Sequence, residues 1–364
     1  MMLAKQLASV KASSSRVWCV TWSHKGDILG SSGEDKSIVL WTVAADGVWD
    51  RNLVVPNSHS RAVRRLSWSP CDNYLASASF DTTIIIWKII RNDGSVDAEA
   101  LATLEGHTSE VKCVSWSPSG HLLASCGRDK SVWLWEFDDE EDVQCVSVLQ
   151  PHSQDVKCVC WHPFDEMLVS SSYDDTINLY KEEMDDWTLA VTLNGHSSTV
   201  WKVEFSPCGR ILASCSTDCT VKLWTFRAEA DKFKGSSWFC LSTLAGHHTD
   251  VVFDLAWSHD GEYLASVGAD NRLCIFRFSN PILTTVAGQP QLSEIPTLWC
   301  HIPMAHTEDI NSVCWSPIAA QPTGSDSLDY TTRKILCTAG DDGLIRFWAV
   351  PSCDPMNSLE LAVD

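Results

Sequence analysis

Histidine, aspartate and a small hydroxyl recur together along this chain. They are the three side-chain types a nucleophilic hydrolase needs: an alcohol to attack, an imidazole to take its proton and a carboxylate to orient the ring. The sets are His59, Ser77 and Asp81; His107, Ser125 and Asp129; His152, Ser170 and Asp174; His196, Ser214 and Asp218; His248, Ser266 and Asp270; and His306, Thr338 and Asp342. A seventh pair, Ser31 and Asp35, has Ser13 where the histidine would stand. Catalysis needs one activated site, whereas a structural network repeats. The recurrence therefore assigns no catalytic residue and predicts a non-enzymatic protein. Each aspartate is expected to sit in a tight turn, accepting backbone N–H groups and the imidazole, while the hydroxyl extends the network to an indole N–H.

The 16 cysteines raise a second chemistry, metal or cluster ligation. No Cys-x-x-Cys pair occurs, and Cys19, Cys113 and Cys158 occupy one repeated position, three residues before an aromatic. Cys215 and Cys219 are the best-spaced pair, but a turn separates them and free cysteine is a common core filler. Adjacent His247 and His248 include one member of the recurring set. No glycine-rich phosphate loop opens a helix. The expectation is no metal site and no cofactor.

The elements that position these residues follow from their spacing. Six residues after each turn aspartate comes an aromatic: Trp41, Trp87, Trp135, Tyr180, Trp224, Phe276 and Trp348. A second aromatic series runs upstream: Trp22, Trp68, Trp116, Trp161, Phe205, Trp257 and Trp315. Aspartates recur at intervals of 44 to 52 residues, except for 72 between Asp270 and Asp342. Within a unit, short β-rich runs are broken by turn residues such as Ser-Pro-Ser-Gly, the pattern of antiparallel hairpins. This period is that of a four-stranded blade, and seven of them predict an all-β, seven-bladed propeller of the WD40 type. One domain is expected over 1–364, with repeats over about 13–350 and a short tail at 351–364. The last unit has three strands of its own, so the stretch from Lys5 to Val10 is predicted to supply its outer strand and close the ring. The conformations of 279–303, expected to join blades six and seven, and of 318–333, expected to be mobile, are left open.

Longer strings carry a narrower resemblance. Trp68–Asp81 (WSPCDNYLASASFD), Gly127–Asp142 (GRDKSVWLWEFDDEED), Cys145–Pro163 (CVSVLQPHSQDVKCVCWHP) and Ser172–Trp187 (SYDDTINLYKEEMDDW) resemble the WD40 subunit family of cytosolic iron–sulfur protein assembly. The resemblance implies a scaffold or adaptor that works with a small adaptor subunit and a helical-repeat scaffold to dock iron–sulfur apo-proteins. It also implies that Arg128 matches a binding arginine on the top face. Leu179, Tyr180 and Lys181 stand where family members carry a Leu-Tyr-Arg motif for the co-chaperone, with lysine here replacing the planar guanidinium. A generic WD40 scaffold of a ubiquitin ligase or chromatin complex is the alternative.

Charge bounds the partners. A formal net charge of −20 disfavours nucleic acid, which needs a cationic face. No run of eighteen apolar residues suggests a membrane span. MMLAKQLASV does not read as an export signal, and abundant unpaired thiols fit a reducing cytoplasm, with the nucleus as a second expected location. In a propeller, the residue before each turn aspartate, and those three and five after the histidine place, point to one face. There Trp18, Arg64, Phe80, Lys112, Arg128, Lys157, Tyr173 and Trp201 form a basic and aromatic sector suited to acidic or aromatic peptide segments. On the opposite rim the acidic runs Asp138–Asp142 and Glu182–Asp186 are expected to be solvated loop charge.

Overall fold

A computed structural model describes residues 4–43, 49–56, 58–92, 95–138, 140–184, 186–227, 232–234, 237–278, 283–286, 289–292, 296–317 and 333–351. Seven four-stranded antiparallel sheets form the blades of a propeller. Blade three shows the plan: Val111–Trp116 innermost, then Leu122–Gly127, Val132–Phe137 and the outer strand Val143–Leu149. Inner strands of neighbouring blades pack side by side around the axis. Apolar residues of these strands and of the strands outside them fill the space between neighbouring blades, with Val111, Val156 and Val200 of inner strands and Leu134 and Leu179 of third strands fully buried. The second strands, such as Leu29–Gly33, Met167–Ser172 and Tyr263–Gly268, are buried along their whole length.

Blade seven takes Ile310–Trp315, Arg333–Gly340 and Leu344–Pro351 from the end of the chain, and Lys5–Lys11 from its beginning. Lys5–Lys11 pairs antiparallel with Leu344–Pro351, from Lys5 opposite Ala349 to Lys11 opposite Leu344. Blade six corrects one expectation. Its outer strand is Thr297–Ile302, and a small hairpin, Leu283–Val286 with Gln289–Leu292, precedes it. The insertion after residue 278 therefore lies within blade six, between its third and fourth strands, rather than between blades. Residues 318–332 and 352–364 lie outside the described residues, so the expectations for that loop and for the tail are not addressed.

The repeated polar set forms a network in blades two to seven. In blade three His107 Nδ1 meets Asp129 Oδ2 at 2.8 Å, His107 Nε2 meets Ser125 Oγ at 2.9 Å, and Trp135 Nε1 donates to Ser125 Oγ at 3.0 Å. In blade four Tyr180 Oη takes the indole's part, 2.7 Å from Ser170 Oγ. In blade six Phe276 offers no such group, and the chain of bonds ends at Ser266. In blade one, with no imidazole, Asp35 bonds the backbone and hydroxyl of Ser37 and no other partner among the described residues. The residue after the aspartate takes a left-handed conformation in every blade: Lys36, Thr82, Lys130, Asp175, Cys219, Asn271 and, in blade seven, Gly343. Backbone strain of that kind is held by the carboxylate's bonds on either side of it.

Candidate functional site

The first and second strands of every blade slip register by one residue near the start of the first strand. The residues skipped are Trp18, Arg64, Lys112, Lys157, Trp201, Phe253 and Asn311. A bulge of this type takes a residue out of the ladder and re-aims its side chain. Here it turns one side chain per blade toward the mouth of the central channel. All seven line a pocket of about 280 Å³ there, together with Arg16, Phe80, Asp309 and Asp341.

Six of the eight residues of the basic and aromatic sector thus share one pocket: Trp18, Arg64, Phe80, Lys112, Lys157 and Trp201. Trp18 and Phe80 are tilted rings 4.9 Å apart, and Trp201 meets Phe253 edge-on at 5.1 Å. The cations lie over these faces. Lys112 Nζ is 3.9 Å from the Phe80 centroid, Lys157 Nζ is 4.9 Å from Trp201 and 5.2 Å from Tyr173, and Arg64 is 5.8 Å from Trp18. Tyr173 therefore joins the group through Lys157, from outside the pocket lining. Arg128 also stands outside. Its side chain is 59% exposed and pairs with Glu110 at 3.3 Å, beside Arg61 on the same carboxylate.

Electrostatically this sector is short of anions. Burial lowers the Lys112 ammonium to about 8, with Glu110 opposing the fall and Lys157 and Arg64 adding to it. Burial also lowers Lys157, against the pull of Asp155, and Arg64 adds to the shift. Burial acts to raise Glu110, but bonds from Ser109, its own backbone and Arg61 bring it down to about 2. The other half of the mouth is different: Arg16 pairs with Asp341 at 3.0 Å, and Asn311 donates to Asp341 at 2.6 Å. Sequence register placed these residues on the same face, but only the fold shows that they complete the pocket.

One residue further along each first strand stand Cys19, Arg65, Cys113, Cys158, Lys202, Asp254 and Ser312, of which Arg65, Cys113, Cys158, Lys202 and Asp254 line the narrow space beneath the pocket. Asp254, with a side chain only 1% exposed, binds Arg65 at 3.2 Å and approaches Lys202 at 3.9 Å. The triad closes the channel beneath the pocket, and sequence reading missed it. Its signal was available, since all seven residues hold the same repeat position, yet only the cysteines were singled out there.

The WD domain, G-beta repeat model matches residues 4–42, 51–88, 98–136, 143–181, 187–225, 238–277 and 299–349. The chain is 54% identical over 350 residues to a probable cytosolic iron–sulfur protein assembly protein CIAO1 homolog of Schistosoma japonicum, covering 96% of this chain and 99% of that protein. It is 46% identical to a probable Ciao1 protein of Culex quinquefasciatus, over 92% of this chain and 94% of that one. It is 39% identical to cytosolic iron–sulfur protein assembly protein 1 of Saccharomyces cerevisiae, over 94% and 97%. The chain belongs to the CIAO1 family of WD40-repeat proteins.

Two features attached to that family by resemblance fall in different surroundings. Arg128 is on the surface, with its side chain 59% exposed and paired with Glu110. Leu179 and Tyr180 are fully buried in the third strand of blade four, and Lys181, which pairs with Glu183 at 3.2 Å, alone reaches solvent. Engagement of that tripeptide would require a core strand to leave its blade. Cys215 is fully buried, and burial pushes its thiol well up, while Cys219 lies in the turn with Sγ toward its neighbour's carbonyl, Thr217 O, at 3.6 Å. Among the described residues no group of three or more histidine, cysteine or acidic side chains is arranged to hold a metal ion.

Proposed function

We propose that this CIAO1-family chain is a non-catalytic adaptor in cytosolic iron–sulfur protein maturation, which holds partner subunits and apo-proteins together for cluster insertion. The names of its relatives in iron–sulfur protein assembly support this pathway. The partners in this reading are a small adaptor subunit, a helical-repeat scaffold and apo-proteins, met in the cytosol and in the nucleus. The observation that carries the docking role is the mouth of the channel. Arg64, Lys112 and Lys157 crowd there over Trp18, Phe80 and Trp201, in a protein of net charge −20. Carboxylate-bearing, aromatic segments suit such a surface, because each side chain offers both a charge-assisted bond and a stacking face. Arg128 extends the same basic sector outward, and the turn aspartates Asp35, Asp81, Asp129, Asp174, Asp218, Asp270 and Asp342 serve the scaffold alone.

The test is a pull-down of apo-proteins and partner subunits with Lys112→Glu and Arg128→Glu variants whose thermal unfolding matches the parent. Loss of apo-protein capture, and failure of the variants to restore cytosolic iron–sulfur enzyme activity in depleted cells, is the expected result. Unchanged capture by both variants overturns the assignment of this face. Recovery of ubiquitin-ligase or chromatin subunits in place of the assembly proteins would favour a generic scaffold.

A further inference from the structure

The face opposite the basic mouth holds a second, differently built recess. It lies between blades two and three, encloses about 440 Å³, and is lined by Pro70, Cys71, Tyr74, His121, Phe137 and Asp138, among others. Its walls are aromatic: Tyr74 and Phe137 meet edge-on at 4.9 Å. Its rim is acidic. In the turn Asp138–Asp142, Asp138 is exposed and in the lining, and Glu140 and Asp142 are exposed a few residues on.

This turn is not a loose run of solvated charge. Glu141 takes a left-handed conformation and is held by blade two, with Tyr74 Oη and Lys88 Nζ each 2.6 Å from its Oε1. Asp138 Oδ1 accepts the backbone N–H groups of Glu140 and Asp142, both at 2.9 Å. Glu141 is thus neutralised internally, while Asp138, Glu140 and Asp142 are presented outward on a fixed frame. The outer strand that leaves the turn, Val143–Leu149, has no charged residue and exposes Val146 and Val148 at 46% and 43%. Edge strands are commonly protected by charge or proline, and this one has neither.

We infer that this recess is a second protein-docking site, which takes a short basic segment of a partner: an apolar side chain laid in the recess against the paired rings of Tyr74 and Phe137, with lysine or arginine on either side facing Asp138, Glu140 and Asp142. Charge complementarity selects the occupant. An acidic or neutral segment would meet three uncompensated carboxylates, and an apolar anchor alone would leave the rim unpaired. The two faces of the propeller would then read opposite charge, acidic segments at the channel mouth and basic ones here, so that two partners are held without competing.

The probe is a fluorescent dodecapeptide with one central phenylalanine flanked by two lysines on each side, titrated by anisotropy against the full chain. Controls replace the phenylalanine with alanine or the lysines with glutamate. Two variants alter exposed residues only: Ser119→Trp, to fill the recess from its lining, and Glu140→Lys with Asp142→Lys, to reverse the rim. Both are checked for unchanged thermal unfolding. Loss of affinity of at least about tenfold in each variant and with each control peptide, comparable to removal of one interface anchor, is expected, with Lys112→Glu binding like the parent. No measurable binding to the parent chain overturns the inference. So does binding that survives Ser119→Trp and falls only with charge reversal, which would mark non-specific attraction to an acidic protein.

Discussion

Arg65 and Asp254 lie 189 positions apart in the chain and 3.2 Å apart in the central channel, joining blade two to blade six. Lys202 of blade five approaches the same carboxylate at 3.9 Å, and the backbone N–H of Val313 in blade seven donates to it at 3.1 Å. Burial acts to raise Asp254, yet Arg65 and Lys202 bring it below its ordinary value. Four blades thus converge on one carboxylate at the axis, where a ring of otherwise similar repeats has little else to fix it.

Removing one partner from a buried pair leaves an uncompensated charge, at a cost of about 3 to 5 kcal/mol, whereas removing both is far milder. Asp254→Leu is therefore expected to destabilise strongly, because it strands Arg65 and leaves Lys202 with Glu204, at 3.8 Å, as its carboxylate partner. Arg65→Met should cost less, since Lys202 remains, and Arg65→Met combined with Asp254→Leu should fall short of the sum. Urea unfolding of the three variants measures this. Simple additivity would show that the triad is not a coupled unit.

The blades also differ in how much each turn aspartate does. Asp129 accepts from His107, Ser131 and the Thr108 backbone, whereas Asp35 has only Ser37 among the described residues. Asp129→Asn is expected to cost about 2 kcal/mol, as for a hydrogen-bonded charged group. Asp35→Asn should stay within about 0.5 kcal/mol, as for a surface change. Equal losses in thermal unfolding would mean that the imidazole adds nothing to the turn.

That contrast shows what the sequence could and could not convey. Spacing alone gives the seven units, the turn aspartates and the missing histidine of blade one, because each depends on residues within one repeat. It also places Trp18, Arg64, Lys112, Lys157 and Trp201 on one face, since they share one offset from the histidine. Contacts between blades are not legible in this way. The convergence of Arg65, Lys202 and Asp254 across the channel and the pinning of Glu141 by Tyr74 and Lys88 depend on how the blades meet, and the position of Arg128 outside the pocket on the shape of the mouth. The place of the insertion in blade six was misread because the strand Thr297–Ile302 follows a stretch without the repeat's landmarks.

Acid stability follows from the same network, with its sign fixed by the shifts. Asp81, Asp129, Asp174, Asp218, Asp270 and Asp342 all lie below the ordinary carboxylate value, Asp129 at about 2. In each, burial acts upward and is outweighed chiefly by the histidine bond. The unfolded chain then takes up protons first as pH falls. The stability these groups contribute is complete above about pH 4, the unfolded value, and is lost as pH drops through the folded values. Burial lowers His306 and His162, so the unfolded chain also binds protons there first, and a smaller loss begins below about pH 6.5. Melting temperature against pH should decline gently from pH 6.5 to about 4 and steeply below. Asp129→Asn should flatten the steep limb, and an unchanged limb would remove these turns as its source.

Lys112 offers a chemical readout of the channel mouth that needs no partner. With its ammonium lowered to about 8, roughly a quarter of the side chain is neutral at pH 7.5, against about 0.1% for an ordinary lysine. Its amine lies over Phe80 with Arg64 and Lys157 nearby, so charge crowding and burial act together. At pH 7.5 a limiting amount of an amine-acylating reagent should modify Lys112 before exposed lysines such as Lys25, as read by peptide mass spectrometry. Replacing Arg64 with methionine removes one repelling charge, raises the Lys112 value and should slow the labelling. A bound acidic segment should both restore the charge and cover the amine, suppressing modification at Lys112 while leaving Lys25 unaffected. Labelling of Lys112 no faster than of Lys25 would falsify the crowded-cation account of this pocket.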